Sequence, residues 1–316
     1  MKQSIRVGVV GVGSIGKNHA RICAELKDVE FAAVYDINSE TARNVGRHYH
    51  VRVAESLDEL ISLVDAATVA ASTRAHFEIG CRLLEARKHV LIEKPITETP
   101  EQAEKLVRLA RERSLILQVG HVERFNPVMR ALQERITRPR FIEVHRLSPY
   151  PFRSLEIGVV LDLMIHDLEI ILHLVRSPVK SIDAVGVPVL SKSEDIANTR
   201  IRFENGCVAN ITASRITPKK MRKIRVFQED AYLSLDYQNQ SVKMYRLVDG
   251  KIKREKVAIE KDEPLKRELQ SFIECASGGQ QPLVSGSEAA AALELAIRIT
   301  EMIEEFRASE GQASGD

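Results

Sequence analysis

Through the first 120 residues, short apolar runs alternate with stretches in which apolar positions recur every three or four residues. Ile5–Val10 is an apolar run around Gly8, and Glu30–Tyr35, Ala66–Ala71, His89–Ile92 and Leu115–Val119 repeat that pattern. Between them, helical periodicity predicts helices over Lys17–Leu26, Leu57–Leu63 and Ala75–Ala86. Thr99-Pro100-Glu101-Gln102 has a capping-box arrangement with proline at the first helical position, opening a helix to about Arg113. Strands alternating with helices predict an α/β fold: a doubly wound parallel sheet covered on both faces.

The pattern changes after Gly120. Asn126-Pro127 starts a helix, Phe141–Leu147 alternates as a half-buried strand does, and Gly158–Arg176 is a helix apolar on most sides. Several strand-like runs fill Ser181–Ile259, with Asn205-Gly206 and Asp249-Gly250 as hairpin signals. Helical runs follow over Pro264–Ala276 and Ser287–Phe306, and the small, polar tail 308–316 is expected to fray. The reading is two domains: 1–122, a nucleotide-binding sheet, and 123–316, an α+β domain with a mostly antiparallel open sheet.

Composition narrows the function classes. Lys plus Arg is 46 against 44 for Asp plus Glu, a net charge of +2, which argues against a general polyanion binder. No run reaches the roughly 18–20 apolar residues of a membrane span, and the N-terminus lacks a secretory pattern. Cys23, Cys81, Cys207 and Cys275 are too far apart for a zinc ribbon or a redox pair and read as buried free thiols. The expectation is a cytoplasmic protein with no membrane or nucleic-acid partner.

Gly11-Val12-Gly13-Ser14-Ile15-Gly16 is a G-x-G-x-x-G between a strand and a helix, the arrangement that brings a pyrophosphate to backbone N–H groups at a helix N-terminus. Asp36 ends the second strand, 20 residues after Gly16, where a carboxylate would bind the adenosine ribose diol. A carboxylate repels a 2′-phosphate, and Ile37 and Asn38 supply no compensating cation, so the cofactor read from these residues is NAD. Glu93-Lys94-Pro95 follows the apolar strand His89–Ile92, at the strand end where such sheets bind ligands. Lys94 there is either a surface lysine or a group that orients a substrate hydroxyl, with Glu93 as its ion-pair partner. On the helix Gly158–Arg176, Asp162, His166, Glu169 and His173 form one polar stripe. Asp162 and His166 lie one turn apart, close enough for a carboxylate to orient an imidazole base. A buried structural network and a metal site compete with that reading. His166 and His173 are seven residues apart and cannot readily share an ion, so no metal is assigned.

The Gly11–Gly16 turn, Glu93-Lys94-Pro95, Arg124-Phe125-Asn126-Pro127 and Gly158-x-x-x-Asp162-x-x-x-His166 together resemble the glucose–fructose oxidoreductase/inositol dehydrogenase (Gfo/Idh/MocA) family. The resemblance runs over nearly the whole chain. It implies a Rossmann domain joined to an α+β domain, NAD(P)-dependent oxidation of a secondary alcohol, and homo-oligomers, dimer or tetramer, built through the C-terminal sheet. It also implies that Lys94 bonds the reacting hydroxyl, Asp162 positions substrate, His166 is the acid/base, and Ser72, Thr73, His76, Glu93 and Lys94 line the cofactor site. The chain departs from the family pattern at Met164, where glycine is usual, at Glu169, where aspartate is usual, and at Ser72-Thr73-Arg74, which lacks a proline.

Gly120–Pro127 and His145–Pro149 resemble a branch that oxidises UDP-N-acetylglucosamine at C3, whose ketone product goes to an aminotransferase in lipid A synthesis. A diphosphate needs cations, and Arg124, Arg146 and Arg153, with Asn126, are the candidate substrate ligands. The basic run Arg215, Lys219, Lys220, Arg222, Lys223, Arg225 is a further candidate, with a solvated strand or charged oligomer edge favoured over it. Two other readings stay open: a dehydrogenase of a free sugar or inositol, and a non-catalytic NAD sensor.

Overall fold

The computed structural model of the protein describes residues 4–150 and 157–313. The chain forms two compact units, Met1–Phe125 with Glu263–Ala291, and Asn126–Asp262 with Ala292–Asp316.

The first unit runs β1 (Ile5–Val10), α1 (Gly16–Glu25), β2 (Val29–Tyr35), α2 (Ser39–Tyr49), β3 (Arg52–Val53), α3 (Leu57–Leu63), β4 (Ala66–Val69), α4 (Thr73–Glu85), β5 (His89–Glu93), α5 (Pro100–Glu112) and β6 (Leu117–Gly120). The six strands are ordered β3-β2-β1-β4-β5-β6, all parallel. Both faces are covered by helices, which is why β4 is buried throughout and reads as an unbroken apolar run. Side-chain caps start α2, α3 and α5: Asn38 Oδ1 accepts from Glu40 and Thr41 N–H, Ser56 Oγ from Glu59, and Thr99 Oγ1 from Gln102. The box at Thr99 closes differently from expectation, because Gln102 Oε1 accepts from Glu98 N–H. Helix α2 has no counterpart among the expected elements. Its signal is the Asn38 cap with Ala42, Val45 and Tyr49 following at helical spacing.

The chain returns to this unit after a long excursion. A cut at 122/123 gives all later residues to the second domain, whereas α8 (Pro264–Gly278) sinks Leu269, Phe272, Ile273 and Cys275 into the core formed by Val7, Val9, Ile22 and Cys23. Arg21–Glu263 and Lys266–Glu25 ion pairs flank that contact, and Val284 accepts from Val119 N–H beside the edge of β6. Glu268 is carried into the interior with α8; both its carboxyl oxygens lack a hydrogen-bond partner among the described residues. Cys23, Cys207 and Cys275 are buried thiols as expected, and burial pushes Cys23 up to about 12. Cys81 is only half-buried.

The second unit comprises α6 (Pro127–Gln133), β7 (Phe141–Leu147), a π turn over Val160–Met164, α7 (Ile165–Val175), β8 (Val179–Val187), β9 (Ile196–Phe203), β10 (Val208–Ser214), β11 (Met221–Phe227), β12 (Tyr232–Asp236), β13 (Ser241–Val248) and β14 (Lys251–Val257). The eight strands are ordered β14-β13-β12-β11-β7-β10-β9-β8, antiparallel except for the β7–β10 pair. Strict alternation of buried and part-exposed residues along β7 shows one face turned to the core. Asp249 and Gly250 both have positive φ, as a two-residue type I′ hairpin requires. At Asn205-Gly206 only Gly206 does, after a β-turn closed by its N–H to the Phe203 carbonyl.

One expectation is corrected here. Strand β11 lies between β12 and β7, so the basic run is not a sheet edge. Helix α9 (Gly286–Ala313) extends past residue 308. A buried ion pair ties strand to helix in this unit, with Arg146 Nε and Nη2 donating to Asp167 at 2.6 and 2.9 Å.

Two stability predictions follow from these buried charges. Burial, reinforced by the charge of Glu93, raises the Glu268 pKa well above the usual carboxylate range. An acid raised in this way costs folding free energy as pH climbs above its unfolded value of about 4.3 and costs nothing below it. Glu268→Gln should therefore unfold at higher urea than wild type at pH 8, by about 1–3 kcal/mol, with the gap closing towards pH 4. A gap that does not vary with pH would contradict this. For the ion pair, Asp167→Leu should cost about 3–5 kcal/mol, and adding Arg146→Met should recover most of that loss in the same urea measurement.

Candidate active site

The turn between β1 and α1 is set by two contacts that leave no room for side chains. A Cβ at Gly16 would lie 1.8 Å from the Gly11 carbonyl oxygen, and Gly11 itself has φ +80° with Ala71 N 2.7 Å from where its Cβ would be. Gly13 differs, because a Cβ there would meet nothing, and Gly13, Ser14 and Ile15 are all exposed. No side chain caps α1 at Ile15, and no acidic residue occupies its first turn. The N-terminus of α1 thus presents N–H groups and a positive dipole end next to open space, which fits the pyrophosphate of NAD. Val12, by contrast, is buried. Asp36 Oδ2 accepts from Val12 N–H at 2.7 Å and Oδ1 from Asn38 N–H at 2.8 Å. Each oxygen keeps acceptor capacity for a ribose hydroxyl.

At the end of β5, Glu93 and Lys94 are half-buried, and Glu93 Oε2 accepts from the Lys94 backbone N–H at 3.3 Å. Glu93 Oε1 lies 3.1 Å from Nε2 of His19, whose side chain is fully buried on α1. His19 was not among the sequence candidates; a histidine on the apolar face of α1, three residues after Gly16, is its only trace. His76, on α4, is among the residues expected to line the cofactor site. It is buried, with Nδ1 2.8 Å from the Pro95 carbonyl and Nε2 3.1 Å from the Ala71 carbonyl. Burial lowers its pKa against those two carbonyl contacts and the charge of Glu93, and the ring bridges two loops. Ser72 is exposed at the start of α4, makes no capping bond, and is followed by half-buried Thr73.

The expected single helix over Gly158–Arg176 begins with the π turn, in which Ile165 N–H bonds the Val160 carbonyl five residues back. Asp162 sits inside this turn and His166 in the first turn of α7; both are half-buried. π turns recur at functional sites because the extra residue displaces a side chain from the regular helical position. Glu169 is buried and His173 is half-buried, its Nε2 2.7 Å from the Gln133 amide nitrogen.

Arg124, in the 3₁₀ turn Val122–Phe125, has a side chain with 0% exposure and donates to the Leu283 carbonyl at 3.2 Å. Arg146 is held by Asp167. Asn126 caps α6 through Oδ1 to Val128 N–H and donates to the Tyr237 carbonyl. Each of these three buried side chains thus bonds within its own unit, as a buried polar group must meet a partner. Arg153 lies outside the described residues. Of the basic run, Arg215 is fully buried, while Arg225 pairs with Glu143 at 2.8 Å on the open side of the sheet.

Comparison with known proteins agrees with this architecture. A family model described as "Oxidoreductase family, NAD-binding Rossmann fold" (GFO_IDH_MocA) matches residues 5–121, and the GFO/IDH/MocA C-terminal domain matches 130–234. The UDP-N-acetylglucosamine 3-dehydrogenase of Acidithiobacillus ferrooxidans is 33% identical over 309 residues, 96% of this chain and 98% of that protein. Its solved structure has a TM-score of 0.91 at 34% identity, covering 96% of this chain and 98% of that one. A myo-inositol 2-dehydrogenase of Thermotoga maritima is 26% identical over 96% of this chain and 97% of its own length. On these matches and the NAD-binding sheet they share, the chain belongs to the Gfo/Idh/MocA oxidoreductase family.

Proposed function

We propose that the protein is an NAD-dependent dehydrogenase that oxidises the C3 hydroxyl of UDP-N-acetylglucosamine to the 3-keto sugar. The observation that carries the reading is identity of 33% to a UDP-N-acetylglucosamine 3-dehydrogenase along nearly the whole of both chains. Bound NAD supplies the hydride acceptor at its nicotinamide ring. The Gly11–Gly16 turn and Asp36 hold the cofactor's pyrophosphate and ribose. His166 removes the hydroxyl proton, Asp162 orients substrate and imidazole, and Lys94 donates to the oxygen as charge develops on it. A keto sugar is the substrate class of an aminotransferase, which gives the reaction its place before a diamino sugar of lipid A.

A second reading, a free sugar or inositol as substrate, draws support from a specific observation. Arg124 and Arg146 are taken up within the fold, which leaves Arg153 as the remaining candidate for the diphosphate. We further propose a homo-oligomer through the open face of the eight-stranded sheet. There Phe141, Phe227, Tyr232 and Tyr245 form a half-buried row with neighbouring ring centroids 4.7–5.6 Å apart. The cytoplasm is the proposed compartment, in keeping with free cysteines at all four positions. Among the described residues no helix is long and apolar enough to cross a membrane.

Purified protein with NAD should form NADH with UDP-N-acetylglucosamine, and not with UDP-glucose, glucose or myo-inositol, when a carbonyl trap or an aminotransferase with glutamate removes product. Turnover with a free polyol alone overturns the nucleotide-sugar reading and keeps the chemistry. His166→Ala should lower kcat about 100-fold or more, and Lys94→Ala about 100–1,000-fold. NADH should bind His166→Ala as it binds wild type; a sensor would show no turnover to lose. Arg153→Ala should raise KM for the UDP-sugar about tenfold or more, the loss of one charge-assisted bond to phosphate. An unchanged KM would remove Arg153 from the site.

A further inference from the structure

The π turn that carries Asp162 starts from a short stretch held by three contacts from distant parts of its own unit. Arg215 donates from Nη1 to the Ile157 carbonyl at 2.7 Å. The Glu194 backbone carbonyl accepts from Val159 N–H at 3.1 Å, and its carboxylate Oε1 accepts from Val160 N–H at 3.3 Å. The first N–H groups of a helix have no partner inside it. Glu194 therefore acts as the cap of this helix, although it lies 34 residues away in sequence. Gly158 makes the contact possible, since a Cβ there would come within 1.8 Å of Glu194 Oε1 and 2.0 Å of its other carboxylate atoms.

Glu194 is itself seated by its neighbour. Asp195, fully buried, pairs with Arg215 through Oδ1 and Nε at 2.8 Å. Asp195 Oδ2 accepts from the N–H groups of Val189, Leu190 and Ser191 at 2.6–2.9 Å, and Arg215 Nη2 donates to Ser191 and Ser193 Oγ at 2.8 and 3.0 Å. Burial opposes ionisation of Asp195, but the Leu190, Arg215 and Ser191 bonds outweigh it and hold the carboxyl below the usual range. Glu194 goes the other way. Burial pushes it up, against the backbone bonds and the Arg215 charge that lower it. The two adjacent carboxyls thus divide the work: Asp195 anchors the arginine, and Glu194 reaches the helix.

We infer that Glu194, seated by the Asp195–Arg215 pair and given room by Gly158, is a positioning residue that fixes the π turn and the presentation of Asp162 and His166. The inference rests on the dehydrogenase reading for the roles of Asp162 and His166, and not for the geometry of the clamp.

The test uses Glu194→Ala, Glu194→Gln and Gly158→Ala in the full chain. The readouts are kcat and KM with the sugar, the Kd for NADH by its own fluorescence, and the NMR signals of the His166 ring. Glu194→Ala and Gly158→Ala should lower kcat about 10–100-fold, the scale of a small misplacement of catalytic groups. Their Kd for NADH should stay within about twofold, and the His166 signals should shift. Glu194→Gln keeps an acceptor at Oε1 and should restore kcat to within about threefold of wild type, together with the His166 signals. Folded Glu194→Ala with wild-type kcat, KM and His166 signals overturns the inference, as does Glu194→Gln falling as far as alanine. Should Glu194→Ala not fold, Gly158→Ala decides, because it displaces the carboxylate without deleting it. Should wild type turn over no sugar, the dehydrogenase reading fails, while the clamp is still judged on His166: signals unmoved in Gly158→Ala overturn it, and signals moved there but restored in Glu194→Gln support it.

Discussion

The first unit depends on one close approach, the 1.8 Å that would separate a Cβ at position 16 from the Gly11 carbonyl. Only a residue without a side chain lets α1 begin so near the end of β1, and the position of the whole helix follows from that start. Because α1 lies where it does, His19 reaches Glu93 at the end of β5, and Ile22 and Cys23 meet the apolar face of α8. Glu93 in turn bonds the backbone of Lys94. The turn that suits a pyrophosphate is therefore also the piece that seats the strand end bearing the proposed catalytic lysine. A larger residue at Gly16 would disturb both at once, through packing rather than through lost ligand contacts.

Buried arginines shape the other half of the picture. A guanidinium carries five donors and stays charged, so once it leaves water it needs several acceptors in fixed directions. Arg146 finds both oxygens of Asp167, and Arg215 finds Asp195, a carbonyl and two hydroxyls. Such pairs contribute little net stability over apolar packing, yet losing one partner strands a charge. Their effect is to dictate which strand meets which helix or loop. Arginine is chosen for binding phosphates for the same reason, planar and multidentate recognition. An arginine near a predicted cleft therefore carries the same sequence signature whether it faces substrate or the interior.

That ambiguity marks how far the sequence could be read. Ile5–Val10, Leu57–Leu63 and Phe141–Leu147 form over the residues that periodicity assigns, and Thr99 and Asn126 cap the helices expected of them. These features are local, set by alternation, by a side chain reaching two or three residues ahead, or by proline at a first turn. The features that escaped are those whose partners are remote. Pro264–Ala276 reads correctly as a helix, but nothing in its stripe names the core of Val7 and Cys23 as the surface it covers. His76 reads as a polar residue near a cofactor loop, and its two carbonyl partners appear only when β4 and β5 lie side by side. The π turn at Val160–Met164 leaves no mark in the apolar period, because one displaced backbone bond changes no residue type.

The same distinction separates reaction class from substrate. Cofactor binding depends on strand ends and a helix N-terminus, which the fold itself imposes. A dehydrogenase of a nucleotide sugar and one of myo-inositol can therefore both align with this chain over 96% of its length, at 33% and 26% identity. Discrimination between such substrates needs only a few polar groups, since a site built to bond a substrate group rejects an analogue lacking it by orders of magnitude. On the proposed reading, with Arg124 and Arg146 bonded within the fold, selection for a diphosphate would fall to Arg153. Its stretch of sequence leads directly into Ile157 and Gly158, the residues gripped by Arg215 and crowded by Glu194. On the proposed reading, substrate selection and the setting of Asp162 thus share one short piece of chain, and a change to either would be felt by the other.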